Sequence, residues 1–315
     1  MRLPEGVIKM NSFPYPFKEG QTDYGYANNA VPMINKSAVE ITSNYQEEIT
    51  IKRRLLDRHR DRCFSAFPYT YEAQWEAALY LTEQLSAFYP QHFSIMEKGK
   101  KRTLINKMSE EEVHLLYKET DEPLNTIGKH VQEDLILMFQ REGQLFLDAG
   151  QLCFPSNWSL VFNKGMAFKD IHRPVPGFRE NSLDARIERF LLHLLPDQPF
   201  ERVNWSFMAG NRLDTSLEAF PDWGKERYEV TEANAGEKVH LRVETQKLIR
   251  LPETYVILFT IHTHLLSLAD LCKSKNKGRQ VLSILESLPD RVADYKGITP
   301  YKHPVLAYIK GELHE

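Results

Sequence analysis

The residues best suited to chemistry in this chain are one histidine and two rows of polar side chains. His172 stands in Asp170-Ile171-His172-Arg173-Pro174-Val175-Pro176, shortly after Cys153-Phe154-Pro155-Ser156-Asn157-Trp158. Proline fixes its own φ and biases the preceding residue to extended geometry, so Arg173 and Val175 are restrained and His172 sits beside a stiff stretch. A stiff support suits an axial metal ligand, which a neutral imidazole can supply. A histidine satisfied by loop hydrogen bonds fits the same residues, and the local sequence by itself favours that plainer role.

The polar rows lie in strand-like segments. In Leu241-Arg242-Val243-Glu244-Thr245-Gln246-Lys247-Leu248 the period of two puts Arg242, Glu244 and Gln246 on one face and Leu241 and Val243 on the other. Arg202-Val203-Asn204-Trp205-Ser206 repeats the arrangement, with Arg202, Asn204 and Ser206 together. Such rows mark either the wet side of a half-covered antiparallel sheet or the wall of a polar pocket able to hold an amine and polarise bound oxygen. If the two strands are neighbours, both rows line one cavity. His262 and His264 also share a face if their strand runs that far, and could hold a metal, but spacing offers no third ligand.

Other chemistries lack their motifs. There is no G-x-G-x-x-G or G-x-x-x-x-G-K-[ST] loop, no G-x-S-x-G elbow and no H-E-x-x-H. The three cysteines, Cys63, Cys153 and Cys272, form no C-x-x-C pair, which disfavours a disulfide framework, a structural zinc cluster of cysteines or an iron–sulfur centre on this chain. A net charge of −3 gives no global field for nucleic acid or an anionic membrane. No run reaches the roughly 18 apolar residues of a membrane span, and the N-terminus lacks an apolar signal core. A soluble, cytoplasmic protein without nucleic-acid or membrane partners is expected.

The elements that must position these residues can be read from periodicity. Residues 1–40, rich in Pro, Tyr, Gly and Asn over 11–38, are expected to form an extended surface arm. Tyr45–Ala66 reads as an amphipathic helix with a basic face carrying Lys52, Arg53 and Arg54, and Tyr71–Phe88 as a second helix stopped by Pro90. Glu97–Lys107 is a hairpin or loop, and Asn125–Met138 reads as a helix leading into a strand over Gln144–Phe154. Ser182–Leu195 follows as a helix, then strands over Phe200–Phe207, Val239–Ile249 and Thr254–His262. Helical segments near Leu265–Lys273, Gln280–Leu288 and Pro304–Glu312 end the chain. This order argues an α+β fold with a mixed or antiparallel sheet, and residues 41–315 form one domain.

Taken in sequence order, five patterns resemble the haem-dependent oxidative N-demethylase α-subunit family. They are Gly128-x-x-Val131-Gln132-Glu133-Asp134-Leu135, Leu152-Cys153-Phe154-Pro155-Ser156-x-Trp158, Ile171-His172-x-Pro174-Val175-Pro176, Arg202-x-Asn204-Trp205, and Leu241-Arg242-x-Glu244-x-Gln246-x-Leu248-x-Arg250-Leu251-Pro252. Pro16-Phe17 and Lys52-Arg53-x-Leu55-Leu56 fit as well, so the likeness covers about residues 13–270. It implies a PAS-like core over about residues 125–270 that binds haem b and oxidises a small secondary amine such as dimethylamine with O2. FMN, a 2Fe–2S cluster and folate are expected only on partner subunits, namely a flavin and iron–sulfur reductase and a folate-binding chain. The resemblance makes His172 the proximal haem ligand and the metal-binding residue. It makes Arg242, Glu244 and Gln246 candidates for catalysis, and Arg202, Asn204 and Trp205 candidates for cofactor binding.

The likeness has departures. The family strand usually reads R-x-E-R-Q-T-L, and this chain has Thr245 for the second arginine and Lys247 for the threonine. His262 stands where arginine or lysine is more common. If the lost arginine faces haem or oxygen, substrate choice changes. A haem-binding gas or redox sensor without turnover, and a haem-free structural homologue, are the alternative readings.

Overall fold

A computed structural model describes residues 13–25, 29–34, 37–99 and 101–314. Its centre is a seven-stranded antiparallel sheet, composed of β1 (Val31–Pro32), β2 (Phe64–Ala66), β6 (Asp134–Arg141), β7 (Gln144–Gln151), β8 (Phe200–Ala209), β9 (Val239–Arg250) and β10 (Ile257–Ser267). The strand order is β1-β8-β9-β10-β6-β7-β2. A smaller antiparallel sheet carries β3 (Phe93–Lys98), β4 (Lys101–Asn106) and β5 (Glu111–Leu116). Helices flank both, so the α+β reading with an antiparallel sheet holds.

The sheet is buried on both faces, and β6 shows how. Its Leu135 and Leu137 join an apolar cluster with the N-terminal helices Tyr45–Arg58 and Tyr71–Phe88, whereas Ile136 and Met138 join another with Phe168, Phe178 and Leu191. A third cluster gathers Phe207, Leu241, Val243 and Leu266 beneath the C-terminal helices Lys275–Ser287 and Lys302–His314. A strand covered on both sides has no polar alternation.

That double burial explains the main correction to the sequence reading. The stretch Asn125–Met138 is helical only over Pro123–Gly128, and from Asp134 it is a strand. A run such as Leu135-Ile136-Leu137-Met138 carries no period by which strand and helix can be told apart. The turn that follows is more telling: Glu142 and Gly143 both have positive φ, 52° and 73°, in the two-residue hairpin geometry that matches strand twist. The first helix is also shorter than expected. It ends at Arg58, and Phe64–Ala66 pairs as an edge strand with β7. Its supposed basic face is partly internal, because Lys52 is fully buried and donates to the carbonyls of Gly128, Val131 and Glu133.

The second half follows the expected elements more closely, with β8 to Ala209, β9 to Arg250 and β10 displaced to Ile257–Ser267. Residues 1–12, 26–28 and 35–36 of the 1–40 arm lie outside the described residues. Its described residues lie along the body: Phe13 and Phe17 are buried, Val31–Pro32 adds to the edge of β8, and the Ala38 carbonyl accepts from Thr260 Oγ1 at 2.6 Å.

Candidate active site

Strand register brings the two polar rows together. Antiparallel pairing sets Arg202 opposite Gln246, Asn204 opposite Glu244 and Ser206 opposite Arg242. Directly opposed residues on one face of a ladder stand within side-chain reach. Over this face lies a partly open cavity of about 370 Å3. Its floor is Ile136, Met138, Leu147, Leu248, Phe259 and Ile261 from the sheet, and its roof is Ile171, His172, Val175, Phe178, Leu183, Ile187 and Leu191. Arg202, Asn204, Ser206, Glu244 and Gln246 line its polar end, joined by Tyr24 from the arm and by Tyr295 and Lys296. A mostly apolar cleft with a few converging polar groups is the usual form of a small-molecule site.

His172 sits just after the short Phe168–Ile171 helix, whose turn folds the ring back onto it. Its Nδ1 is 2.8 Å from the Phe168 carbonyl oxygen, so Nδ1 carries the proton and donates. The ring packs against Phe168 and Phe178, with centroids 4.2 Å and 5.2 Å away. Burial lowers its pKa to about 4, which keeps the imidazole neutral. Nε2 is therefore the nitrogen available to a ligand in the cavity.

The polar end is organised around Glu244, which is 7% exposed. Its Oε2 receives Gln246 Nε2 at 3.0 Å and Asn204 Nδ2 at 3.4 Å, and its Oε1 stands 3.6 Å from Arg242 Nε. Lys296 donates to the Trp205 carbonyl at 2.6 Å, and burial lowers its pKa to about 8 despite Glu244. Burial likewise lowers the pKa of Arg202, whose Nε has no hydrogen-bond partner.

The remaining candidates have different surroundings. Arg242 shares the face of Glu244 but turns away from the cavity, donating to Phe154 O at 2.5 Å, Leu213 O at 3.0 Å and Thr263 Oγ1 at 3.1 Å. Asp134 secures the same turn from the other side, accepting from the backbone N–H of Cys153 and Phe154 at 2.7 and 2.8 Å. Burial raises the pKa of this carboxyl to about 6. The Cys-Phe-Pro-Ser-x-Trp motif is thus a clamped strand exit that delivers Ser156, Asn157 and Trp158 to the cavity wall. Trp205 points to the opposite side of its strand from Asn204. Its ring packs on Phe17 at 4.9 Å and under Lys296 Nζ at 4.4 Å, at the cavity's edge. Lys296, Tyr295 and Tyr24 were not singled out by sequence, because each comes from a distant segment without a motif of its own.

A family model described as haem-dependent oxidative N-demethylase, alpha subunit-like, matches residues 31–306. The chain belongs to that family. Haem dependence in the N-demethylase family sets a test that this cavity meets on its own chemistry. A haem ligand needs a neutral imidazole held by its second nitrogen, an apolar slot and cations for the carboxylate arms. His172 with its bond to Phe168 supplies the first, and the cavity floor and roof the second. Arg202, with an unpartnered Nε, and Lys296 supply the third. The departures from the N-demethylase strand pattern fall elsewhere: Thr245 and Lys247 alternate with Glu244 and Gln246, and His262 pairs with Thr245. All three side chains point away from the cavity.

Among the described residues, no helix is long and apolar enough to cross a membrane.

Proposed function

We propose that the chain is the haem-binding, PAS-like subunit of an oxidative N-demethylase acting on a small secondary amine such as dimethylamine. His172 ligates the iron of haem b through Nε2, and residues 41–315 act as one domain with the cofactor core over about 125–270. The observation that carries this reading is the Nδ1 bond of His172 to the Phe168 carbonyl inside a cavity with one buried carboxylate at its far end. Haem, when bound, supplies the oxygen activation that no side chain here provides.

The chain's own residues do the rest. Glu244 faces the cavity with its carboxylate oriented by the amides of Asn204 and Gln246, so it receives the N–H of an amine and fixes its methyl groups in place. Arg202 and Lys296 neutralise carboxylate arms of the cofactor at the polar end. The apolar floor excludes water from the rest of the slot. Electrons come from a separate flavin and iron–sulfur reductase, in keeping with the absence of a cysteine cluster in the sequence and with the family's description as alpha subunit-like. A folate-binding partner takes up the one-carbon product.

The test is oxygen consumption by the purified haem-loaded chain with a supplied reductase. The proposal expects amine-dependent consumption with release of formaldehyde and the demethylated amine. Reversible binding of oxygen or carbon monoxide, with no turnover of any small secondary amine, would make the protein a sensor instead.

A further inference from the structure

On the face of the sheet opposite the cavity, residues from three distant segments meet. Glu40 comes from the arm, Glu133 from just before β6, and His262 and His264 from alternate positions of β10. Ligand atoms of Glu40, His262 and His264 all lie within 4.8 Å of one another. Glu40 Oε2 is 3.8 Å from His262 Nδ1 and 3.6 Å from His264 Nε2, and Glu133 Oε1 is 3.1 Å from His262 Nδ1. The two imidazoles are stacked, with centroids 4.3 Å apart. Glu133, His262 and His264 are nearly inaccessible, while the Glu40 side chain is one-third exposed and leaves a way in.

We propose that Glu40, Glu133, His262 and His264 form a site for a divalent first-row transition ion of the zinc class. Four observations converge on this site. Two imidazoles and carboxylate oxygens are the donor set of such ions; the pairs Glu133–His262, Glu40–His264 and Glu40–His262, at 3.1, 3.6 and 3.8 Å, already have the separation of two ligands about 2 Å from one centre, and side-chain rotation would close the rest of the cluster from within 4.8 Å. A surrounding layer is already in place. His262 Nε2 is 3.5 Å from Glu48 Oε2, the carboxylate–histidine arrangement that orients a metal-bound ring, and Lys247 Nζ holds the other oxygen of Glu40 at 3.0 Å. Glu133 Oε2 is buried with no hydrogen-bond partner. Finally, three carboxylates, Glu40, Glu48 and Glu133, converge on the two imidazoles, with Lys247 on Glu40 and Lys52 on the Glu133 carbonyl, so the cluster is rich in anionic donors for a further cation.

Such an ion ties the N-terminal arm to the central sheet. Spacing alone showed the histidine pair without a third ligand, because the carboxylates lie far away in sequence. The competing occupant of the same box is a proton on His262, held between Glu133 and Glu48.

The experiment is a titration of the chelator-treated full-length protein with Zn2+, read by competition with a chromophoric chelator and by the thermal midpoint. The proposal expects one equivalent bound with a dissociation constant below about 1 μM and a midpoint that rises with free zinc. His264→Ala should weaken that binding by 100-fold or more. Extended X-ray absorption at the zinc edge of the wild-type protein should show two imidazoles among four nitrogen or oxygen ligands, a readout that does not depend on any variant folding. Absence of saturable binding tighter than about 100 μM, a zinc spectrum without imidazole, or unchanged affinity in a folded His264→Ala protein would overturn the proposal in favour of the proton.

Discussion

Arg250 is 3% exposed and uses every guanidinium nitrogen. Nε donates to Leu194 O at 2.7 Å, Nη2 to Leu191 O at 2.7 Å and Leu192 O at 3.1 Å, and Nη1 to Tyr255 O at 2.6 Å and Gln140 Oε1 at 3.4 Å. Three of these carbonyls end the Leu183–Leu192 helix or follow it directly, so one cation satisfies acceptors that a helix terminus leaves open and interacts favourably with its dipole. The same helix supplies Leu183, Ile187 and Leu191 to the cavity roof. Arg250→Met keeps the apolar stem and removes the fork. Charge-assisted bonds contribute roughly 1.5–3 kcal/mol each, and the four short ones would sum to roughly 6–12 kcal/mol if nothing relaxed. Carbonyls near the chain reversal regain water, and the cost of burying the cation is recovered, so the net loss should be about 3–5 kcal/mol. Urea unfolding followed by tryptophan fluorescence measures it, as a lower midpoint at unchanged slope. Arg250→Lys should lose a comparable fraction, since a compact ammonium does not span the acceptors that Nε, Nη1 and Nη2 of the planar fork reach separately. A loss below about 1 kcal/mol in Arg250→Met would refute the claim that this fork holds the roof to the sheet.

Other substitutions report on separate parts of the structure. Lys52→Met leaves the carbonyls of Gly128, Val131 and Glu133 without their shared donor and should destabilise by about 3 kcal/mol in the same urea assay. His130 is buried beside Arg53 and its pKa is lowered to about 4, chiefly by burial, so the folded state resists a proton that the unfolded chain accepts near 6.5. Its contribution is complete above pH 6.5 and is lost as pH falls toward 4, amounting to about 3 kcal/mol. Other buried histidines titrate nearby, so the readout is a shallower stability slope between pH 6.5 and 4 in His130→Gln than in wild type. Glu244→Gln should retain haem absorbance yet slow amine-dependent oxygen consumption by about 10-fold or more, and equal turnover would remove Glu244 from substrate binding.

Legibility in the sequence followed the physics of each segment. Period-two alternation in β8 and β9 was visible because one face is polar, and pairing these strands then put Arg202 by Gln246 and Asn204 by Glu244. In β6 both faces are covered by apolar layers, so Leu135-Ile136-Leu137-Met138 offers no period that separates strand from helix. Arg242 shows a different limit. The alternation places it correctly on the face of Glu244, but only the fold reveals that its guanidinium turns to the Phe154 carbonyl and supports the site from outside. Lys296 and Glu40 could not be found locally, since their meaning arises from distant partners, Trp205 in one case and His262 and His264 in the other. The departures at Thr245, Lys247 and His262 gain significance from register alone, which gathers them on the face away from the cavity.

The most direct measurement is the visible absorption spectrum of the full-length protein expressed with ample haem, for wild type and for His172→Ala at matched folding by circular dichroism. Wild type should show an intense Soret band at one haem per chain. In His172→Ala the band should be lost or strongly shifted, and added imidazole should restore it. A wild-type protein without Soret absorbance, or a folded His172→Ala protein with an unchanged spectrum, would contradict the assignment of this cavity and this histidine to haem.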